Sequence, residues 1–230
     1  MQTYDLATCQ AEASDAPVTL PDERDGKEYT VRYINGACWM TSNLRYLGDT
    51  GSTSTSMIVK SATTNYSSDT TKTLKDLANG SSSSSDCYGT YINGTSYTGN
   101  GWTNLCVHEG TDNNGDPTVW YNYSAATVGT IATKGANSTA ATYDVCPKNW
   151  RLPTNSEQSG VTSYATAFSP VYGGAYSNGS LNSATTGGYW WSATVSDART
   201  RYHLNYYSGS LGTLYLSRYY GLYVRCVRTS

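Results

Sequence analysis

Residues Gly187–Val227, GGYWWSATVSDARTRYHLNYYSGSLGTLYLSRYYGLYVRCV, decide how this chain is organised. The stretch opens and closes with residues that favour burial, Tyr189-Trp190-Trp191 and Val224-Arg225-Cys226-Val227. Between them lies a run dense in Tyr, Ser, Gly, Asn and Arg. Such a mixture supplies rigid amphipathic rings for contact area and small polar groups for adaptable hydrogen bonds. Eight of the chain's 22 tyrosines fall between Tyr189 and Tyr223, and no Phe does. A dry core would use Phe, so the choice of Tyr points to rings with one wet edge. The stretch reads as a binding surface held on a rigid frame, built from short strands, with turn candidates at Ser208-Gly209 and Tyr220-Gly221.

Working outward, 230 residues are enough for one good core or two small ones. Net charge is −2 and only 14% of residues are charged, with Lys148 the last lysine. A nucleic-acid surface needs clustered Lys and Arg, so no nucleic-acid partner is expected. With 22 glycines and long Ser/Thr/Asn runs, few segments carry a long amphipathic helix, and the expected class is α+β with much irregular structure. No apolar run reaches membrane-spanning length, and Met1–Leu6 is not a signal peptide. If the protein is exported, its leader or membrane anchor lies outside this sequence.

Six cysteines, Cys9, Cys38, Cys87, Cys106, Cys146 and Cys226, form an even set without a CxxC pair. Metal-ligand spacing is absent, which favours a disulfide framework outside the cytosol, extracellular or at the cell surface, over free buried thiols. The apolar density of the opening unit implies burial, with Cys9 expected to be tied to Cys38, while the complete connectivity stays open.

The expected organisation is one domain over 1–230, with a polar insertion at about 48–117 and a variable binding region at about 195–223. In the opening unit, Asp25-Gly26 between Val18-Thr-Leu and Tyr29-Thr-Val-Arg-Tyr-Ile predicts a hairpin, and Asn35-Gly36 a second turn leading into Cys38-Trp39-Met40. The insertion is Gly-rich and low in complexity, as in GDTGSTSTS, SSSSSDC and NGTSYTGNGWTN. It is expected to hold a short helix at Thr71–Ala78 and to be pinned by Cys87 and Cys106. Thr118–Ala126 is a core-like aromatic cluster. Thr154 and Glu157 have capping-box spacing, predicting a helix from there to about Phe168.

Three ordered blocks resemble a known family. They are Asp25-Gly26…Tyr29-Thr-Val…Cys38-Trp39-Met40-Thr-x-Asn43-Leu44, then Cys146-Pro-x-x-Trp150-Arg-Leu-Pro-Thr154, then Gly188-Tyr-Trp-Trp-Ser192…Val224-Arg-Cys-Val227. In this order the chain resembles the C-type-lectin-fold variable proteins of diversity-generating retroelements, over residues 1–47 and 118–228. The resemblance implies a C-type lectin fold whose terminal strands and loops present a diversified ligand-binding face on a surface-displayed protein. Diversification there copies a template RNA while mutating adenines, which from Asn codons never yields Lys, Glu, Gln, Met or Trp. Those five types make up 23 of the 230 residues and none of the 29 from Val195 to Tyr223.

Carried over by position, the resemblance implies ligand-facing sites at Tyr202, His203, Asn205, Tyr207, Ser210, Gly212, Tyr215, Ser217, Tyr219 and Tyr220, joined by Asp197 and Arg199. Leu204, Tyr206, Leu211 and Val224 would be the fixed framework alternating with them, since an extended chain sends successive side chains to opposite faces. The partner would be a protein or cell-surface molecule, with no catalytic residues, no metal and no cofactor.

Other readings are weaker on the residues themselves. His203 as a general base needs a nucleophile and an orienting carboxylate, and nothing brings Asp197 or Glu157 to it. His108 reads as a solvated side chain. Trp150, Trp190 and Trp191 could stack on sugars, but their surroundings read as core. Asp112-Asn113-Asn114-Gly115-Asp116 alternates oxygen ligands yet lacks the later Glu of a calcium loop, which favours a plain turn. Triplets such as Asn65-Tyr-Ser67 and Asn137-Ser-Thr139 are ordinary in so Ser/Thr-rich a chain. A calcium-dependent sugar lectin would show Glu-Pro-Asn or Gln-Pro-Asp with Trp-Asn-Asp, and none of these tripeptides occurs. An oxidase of the formylglycine-generating type, which uses a related fold, would need a reactive cysteine pair.

Overall fold

A computed structural model describes residues 1–47, 56–78, 87–88, 90–92, 96–98, 103–130 and 141–230. The low-complexity runs at 48–55, 79–86 and 99–102, and the Asn137-Ser-Thr139 triplet, lie outside the described residues. The chain is α+β, rich in strands, with few and short helices. Among the described residues no helix is long and apolar enough to cross a membrane.

The opening unit folds as its turns dictate. Helix α1 (Leu6–Glu12), capped by Asp5, leads to β1 (Val18–Pro21), β2 (Glu28–Ile34) and β3 (Ala37–Met40). β1 and β2 pair antiparallel across the Asp25-Gly26 turn, and β2 and β3 across Asn35-Gly36. Both residues of the second turn take positive φ, 49° and 83°, the backbone of a type I′ hairpin. Cys9 bonds Cys38, fastening α1 onto this sheet.

β4 (Ser56–Val59), β5 (Thr70–Asp76), β8 (Leu105–Thr111) and β9 (Pro117–Tyr121) form a second sheet in the order β4-β5-β8-β9. A separate small hairpin joins β6 (Thr90–Ile92) to β7 (Ser96–Thr98). The helix expected at Thr71–Ala78 is therefore a strand. Its first half alternates exposure, and the β-branched Thr70, Thr71 and Thr73 pair with Val59, Ile58 and Ser56, so cross-strand pairing overrides local helix preference. The expected insertion boundary near Pro117 is crossed by the β8–β9 hairpin, where Thr111 faces Pro117. Cys87 and Cys106 are bonded as expected.

The aromatic cluster at Thr118–Ala126 is buried throughout and includes α2 (Tyr123–Ala126). The capping box at Thr154 and Glu157 starts α3 (Asn155–Val161), and Arg151 holds Glu157 in an ion pair at 2.6 Å. The predicted single helix is interrupted by a 3₁₀ turn at Thr162–Tyr164 before α4 (Ala165–Phe168). Gly160 and Thr162, both weak helix formers, sit at the break. β10 (Ala175–Ser177) and β11 (Ser180–Asn182) form a small hairpin.

The terminal stretch is more regular than short strands: β12 (Gly187–Val195), β13 (Thr200–Tyr207) and β14 (Ser210–Ser217) make one three-stranded antiparallel sheet. After it the buried strap Gly221–Val227 threads among the sheets. Leu222 exchanges backbone hydrogen bonds with Tyr121 of β9, and Tyr223 bonds Tyr189 and Trp191 of β12. Val227 then begins β15 (Val227–Arg228), which pairs with β3. Cys226 in the strap bonds Cys146. The strap thereby touches all three larger sheets, and two buried clusters meet along it, one around Trp150 and Trp191, the other around Trp39, Trp120 and Trp190.

Candidate binding surface on the terminal hairpin

The β13–β14 hairpin turns at Ser208-Gly209, with φ of 49° and 79°. This is again the type I′ backbone, whose twist matches the flanking strands and which suits Gly at its second position. Its register runs without a bulge from Tyr207 opposite Ser210 to Thr200 opposite Ser217. β12 pairs with the other side of β13, with Trp190 opposite Leu204 and Trp191 opposite His203.

Because side chains alternate along a strand, this register sorts the expected sites onto two faces. Tyr202, Tyr215 and Ser217 share the face of Trp190 and Leu204. His203, Asn205, Tyr207, Ser210 and Gly212 share the face of Trp191. The expectation of one varied face backed by one packed face is corrected here. Positions 202 and 203 are neighbours in an extended chain and project to opposite sides, so they cannot line one face together.

Each face is packed in part. On the first, Phe168 of α4 meets Trp190 edge-on at 5.5 Å, and Val161 joins the same buried cluster as Leu204. Tyr206 stacks on Tyr172 at 4.9 Å, and Leu211 also packs against this cluster. On the second face Trp191 meets Tyr123 edge-on at 5.3 Å, and Leu216 packs nearby. The frame is anchored by hydrogen bonds from Trp190 Nε1 to Asn43 Oδ1 at 2.8 Å and from Trp191 Nε1 to the Tyr121 carbonyl at 2.7 Å.

What stays open lies on both faces, Tyr207 and Leu214 on the second and Tyr215 on the first. Tyr207 is 54%, Leu214 56% and Tyr215 59% exposed. Ser210, Asp197 and Arg199 are exposed as well, while Tyr202, Asn205, Gly212, Ser217, Tyr219 and Tyr220 are half-buried. Tyr202 meets Tyr215 edge-on at 6.4 Å, and Tyr219 stacks on Tyr220 at 5.2 Å. Asp197 shapes the β12–β13 turn, its Oδ1 accepting the amides of Arg199 at 2.6 Å and Thr200 at 2.8 Å. Partial burial works against ionisation, yet these amides hold its carboxyl below the usual range.

His203 is a second correction. It is 1% exposed, with its ring 5.8 Å from that of Tyr189 and its Nδ1 without a hydrogen-bond partner. Burial pushes its pKa down to about 4, so the neutral imidazole is the resident form. It is enclosed and not displayed on the surface. Leu214, which the sequence reading did not single out, is instead exposed on the same face. Its spacing of two from Gly212 and four from Ser210 was the available signal.

The remaining side chains take structural places. Trp150, Trp190 and Trp191 are buried. His108 Nδ1 lies 2.8 Å from Asp76 Oδ1 with its ring 4.6 Å from Tyr176, so it is partnered rather than simply solvated. Asp112 Oδ1 accepts the amides of Asn114 and Asp116, closing its turn. Among the described residues no three His, Cys, Asp or Glu side chains gather as a metal-binding set. All six cysteines are paired and buried. An open polar pocket of about 480 Å³, lined in part by Thr30, Asn43, Asp112 and Arg225, was not foreseen. Comparisons with protein-family models, curated proteins and solved structures each found no match.

Proposed function

We propose that this chain is a non-enzymatic binding protein of C-type lectin fold, displayed outside the cytosol, whose terminal hairpin is varied by a retroelement to meet different partners. One observation carries the reading. Tyr207, Leu214 and Tyr215 stand more than half exposed on a hairpin rooted in the buried Trp190, Trp191 and Leu204. Exposed aromatic and aliphatic groups beside small polar ones on a rigid support are characteristic of recognition surfaces, because little conformational freedom is lost on contact. The three disulfides support placement in an oxidising compartment. The pairing of every cysteine favours binding over oxidase chemistry, which would need a reactive thiol pair.

The partners are proteins or other cell-surface molecules, met without nucleic acid. Sequencing the 3′ coding end across closely related isolates tests the proposal. Codons for Asp197, Arg199, Tyr207, Ser210 and Tyr215 should differ at adenine-derived positions, matched by a nearby template copy and a reverse transcriptase. Those for Trp190, Trp191, Leu204 and Val224 should stay constant. Differences spread evenly over both sets, with no template copy, would overturn it.

A further inference from the structure

Among the described residues, the β1, β9 and β12 edges of the larger sheets are covered or blunted. β1 is four residues long and ends in Pro21. The outer side of β9 is bonded to Leu222, and that of β12 to Tyr223. β14 differs. It runs eight residues, SLGTLYLS, as the last strand of its sheet, with no charged residue, no proline and no bulge. Proteins normally guard such an edge with one of those devices, because its unpaired amides and carbonyls accept another strand.

The type I′ turn identifies which groups are free. In a two-residue hairpin the residues flanking the turn exchange both backbone hydrogen bonds, and bonded and non-bonded pairs then alternate. Ser210, Gly212, Leu214 and Leu216 are thus bonded to β13, while Leu211, Thr213 and Tyr215 direct their N–H and C=O groups outward. The same alternation, carried across the sheet, turns Tyr189 and Trp191 away from β13, and both bond Tyr223 there. Among the described residues no hydrogen bond takes the outward groups of Leu211, Thr213 or Tyr215.

We propose that the β14 edge pairs antiparallel with β14 of a second copy of this chain, about a two-fold axis at Thr213. In that register Thr213 faces Thr213 of the other copy and Leu211 faces Tyr215, so every outward N–H meets a carbonyl. The other face of the strand places Leu214 opposite Gly212, where the missing side chain leaves room for the leucine. Exposed Leu214 and Tyr215 both gain apolar neighbours, one on each side of the joined sheet. No charge opposes another. Such an interface is isologous, as a closed dimer requires. Its single pair of strands puts it in the small, weak class, so it forms at high protein concentration. The inference stands apart from the proposed recognition role and does not rest on it.

Sedimentation velocity and amide hydrogen exchange of the intact, oxidised chain, from about 10 µM to about 1 mM, test the pairing in the range of weak interfaces. The weight-average mass should climb from one chain toward two. Exchange at Leu211, Thr213 and Tyr215 should slow severalfold over the same range, while Gly212, Leu214 and Leu216 are protected throughout. Thr213→Pro removes an N–H that bonds nothing in β13 and should abolish association. Leu214→Lys should do the same by setting a charge against the other copy's strand, and it decides the matter if the proline variant loses its near-ultraviolet circular dichroism. A mass of one chain at every concentration overturns the proposal. So does association that survives Leu214→Lys, or concentration-dependent protection at residues outside β14.

Discussion

Asn43 Oδ1 accepts the indole N–H of Trp190 at 2.8 Å across a sequence separation of 147 residues. The same oxygen accepts Arg225 Nε at 3.0 Å, and Asn43 Nδ2 donates to Thr118 Oγ1 at 3.2 Å. Arg225 is fully enclosed, donating also to the Phe168 and Ser169 carbonyls and lying 4.5 Å from the Phe168 ring. Burial lowers its pKa to about 9, so the cation depends on these acceptors. One small amide therefore joins the opening unit, the root of the hairpin and the strap.

Replacing that amide should be among the most damaging single changes. Asn43→Leu leaves a buried indole N–H and a buried guanidinium without their shared acceptor, a loss of about 3–5 kcal/mol. Asn43→Asp keeps the acceptor and adds a charge opposite Arg225, so it should cost clearly less. Urea unfolding of both variants checks the order, and equal losses would remove the hub from the argument.

Two buried groups should pull stability in opposite directions with pH. His203 is neutral in the fold, its pKa pushed from 6.5 to about 4 by burial. The unfolded chain takes up a proton first, so stability falls by about 3 kcal/mol as pH drops from 6.5 to 4. Burial pushes the Asp144 carboxyl from 3.8 up to about 6, against the pull of the Leu152 and Cys146 amides. There the folded chain protonates first, and falling pH through 6 toward 3.8 adds stability of similar size, about 3 kcal/mol. His203→Leu should therefore make the protein gain stability on acidification across this window, whereas Asp144→Asn should steepen the acid loss. Denaturant midpoints at several pH values report the slopes, and parallel slopes in both variants would refute the assignment.

The exposed positions of the hairpin should tolerate change that its buried ones do not. Tyr207→Ser, Leu214→Ser and Tyr215→Ser each remove mostly exposed surface and should shift stability by no more than about 0.5 kcal/mol. Leu204→Ala empties part of a sealed cluster and should cost about 2–5 kcal/mol. Melting curves that ranked the surface variants with Leu204→Ala would remove the basis for a variable skin.

Among the disulfides, Cys146–Cys226 closes the longest span, a separation of 80 residues against 19 for Cys87–Cys106. Loop-closure entropy then assigns a loss of about 4.5 kcal/mol to the double Ser variant of the first pair and about 3 kcal/mol to that of the second. Guanidinium midpoints of the two variants give the comparison, and a reversed order would show that local packing governs instead.

Much of the local structure was legible because its cause is local. Asn35-Gly36 and Ser208-Gly209 announce hairpins through backbone conformations that few other pairs adopt, and Thr154 with Glu157 announces a helix start through reciprocal hydrogen bonds. The Thr71–Ala78 segment was misread because its pairing with β4 and β8 lies outside any window around it. His203 was placed outward by the resemblance alone, and its burial depends on the segments packed above and below its sheet.

The sequence by itself determined the α+β class, the turns, the even set of cysteines and the concentration of tyrosines near the end of the chain. Each depends on backbone preference or side-chain chemistry within a few residues. Tertiary structure alone decided which hairpin side chains face water, that Asn43 serves Trp190 and Arg225 together, and that the outward backbone groups of Leu211, Thr213 and Tyr215 meet no partner among the described residues. Those outcomes depend on which distant segments cover each face of a sheet, and both faces of the hairpin's sheet are covered in part and open in part.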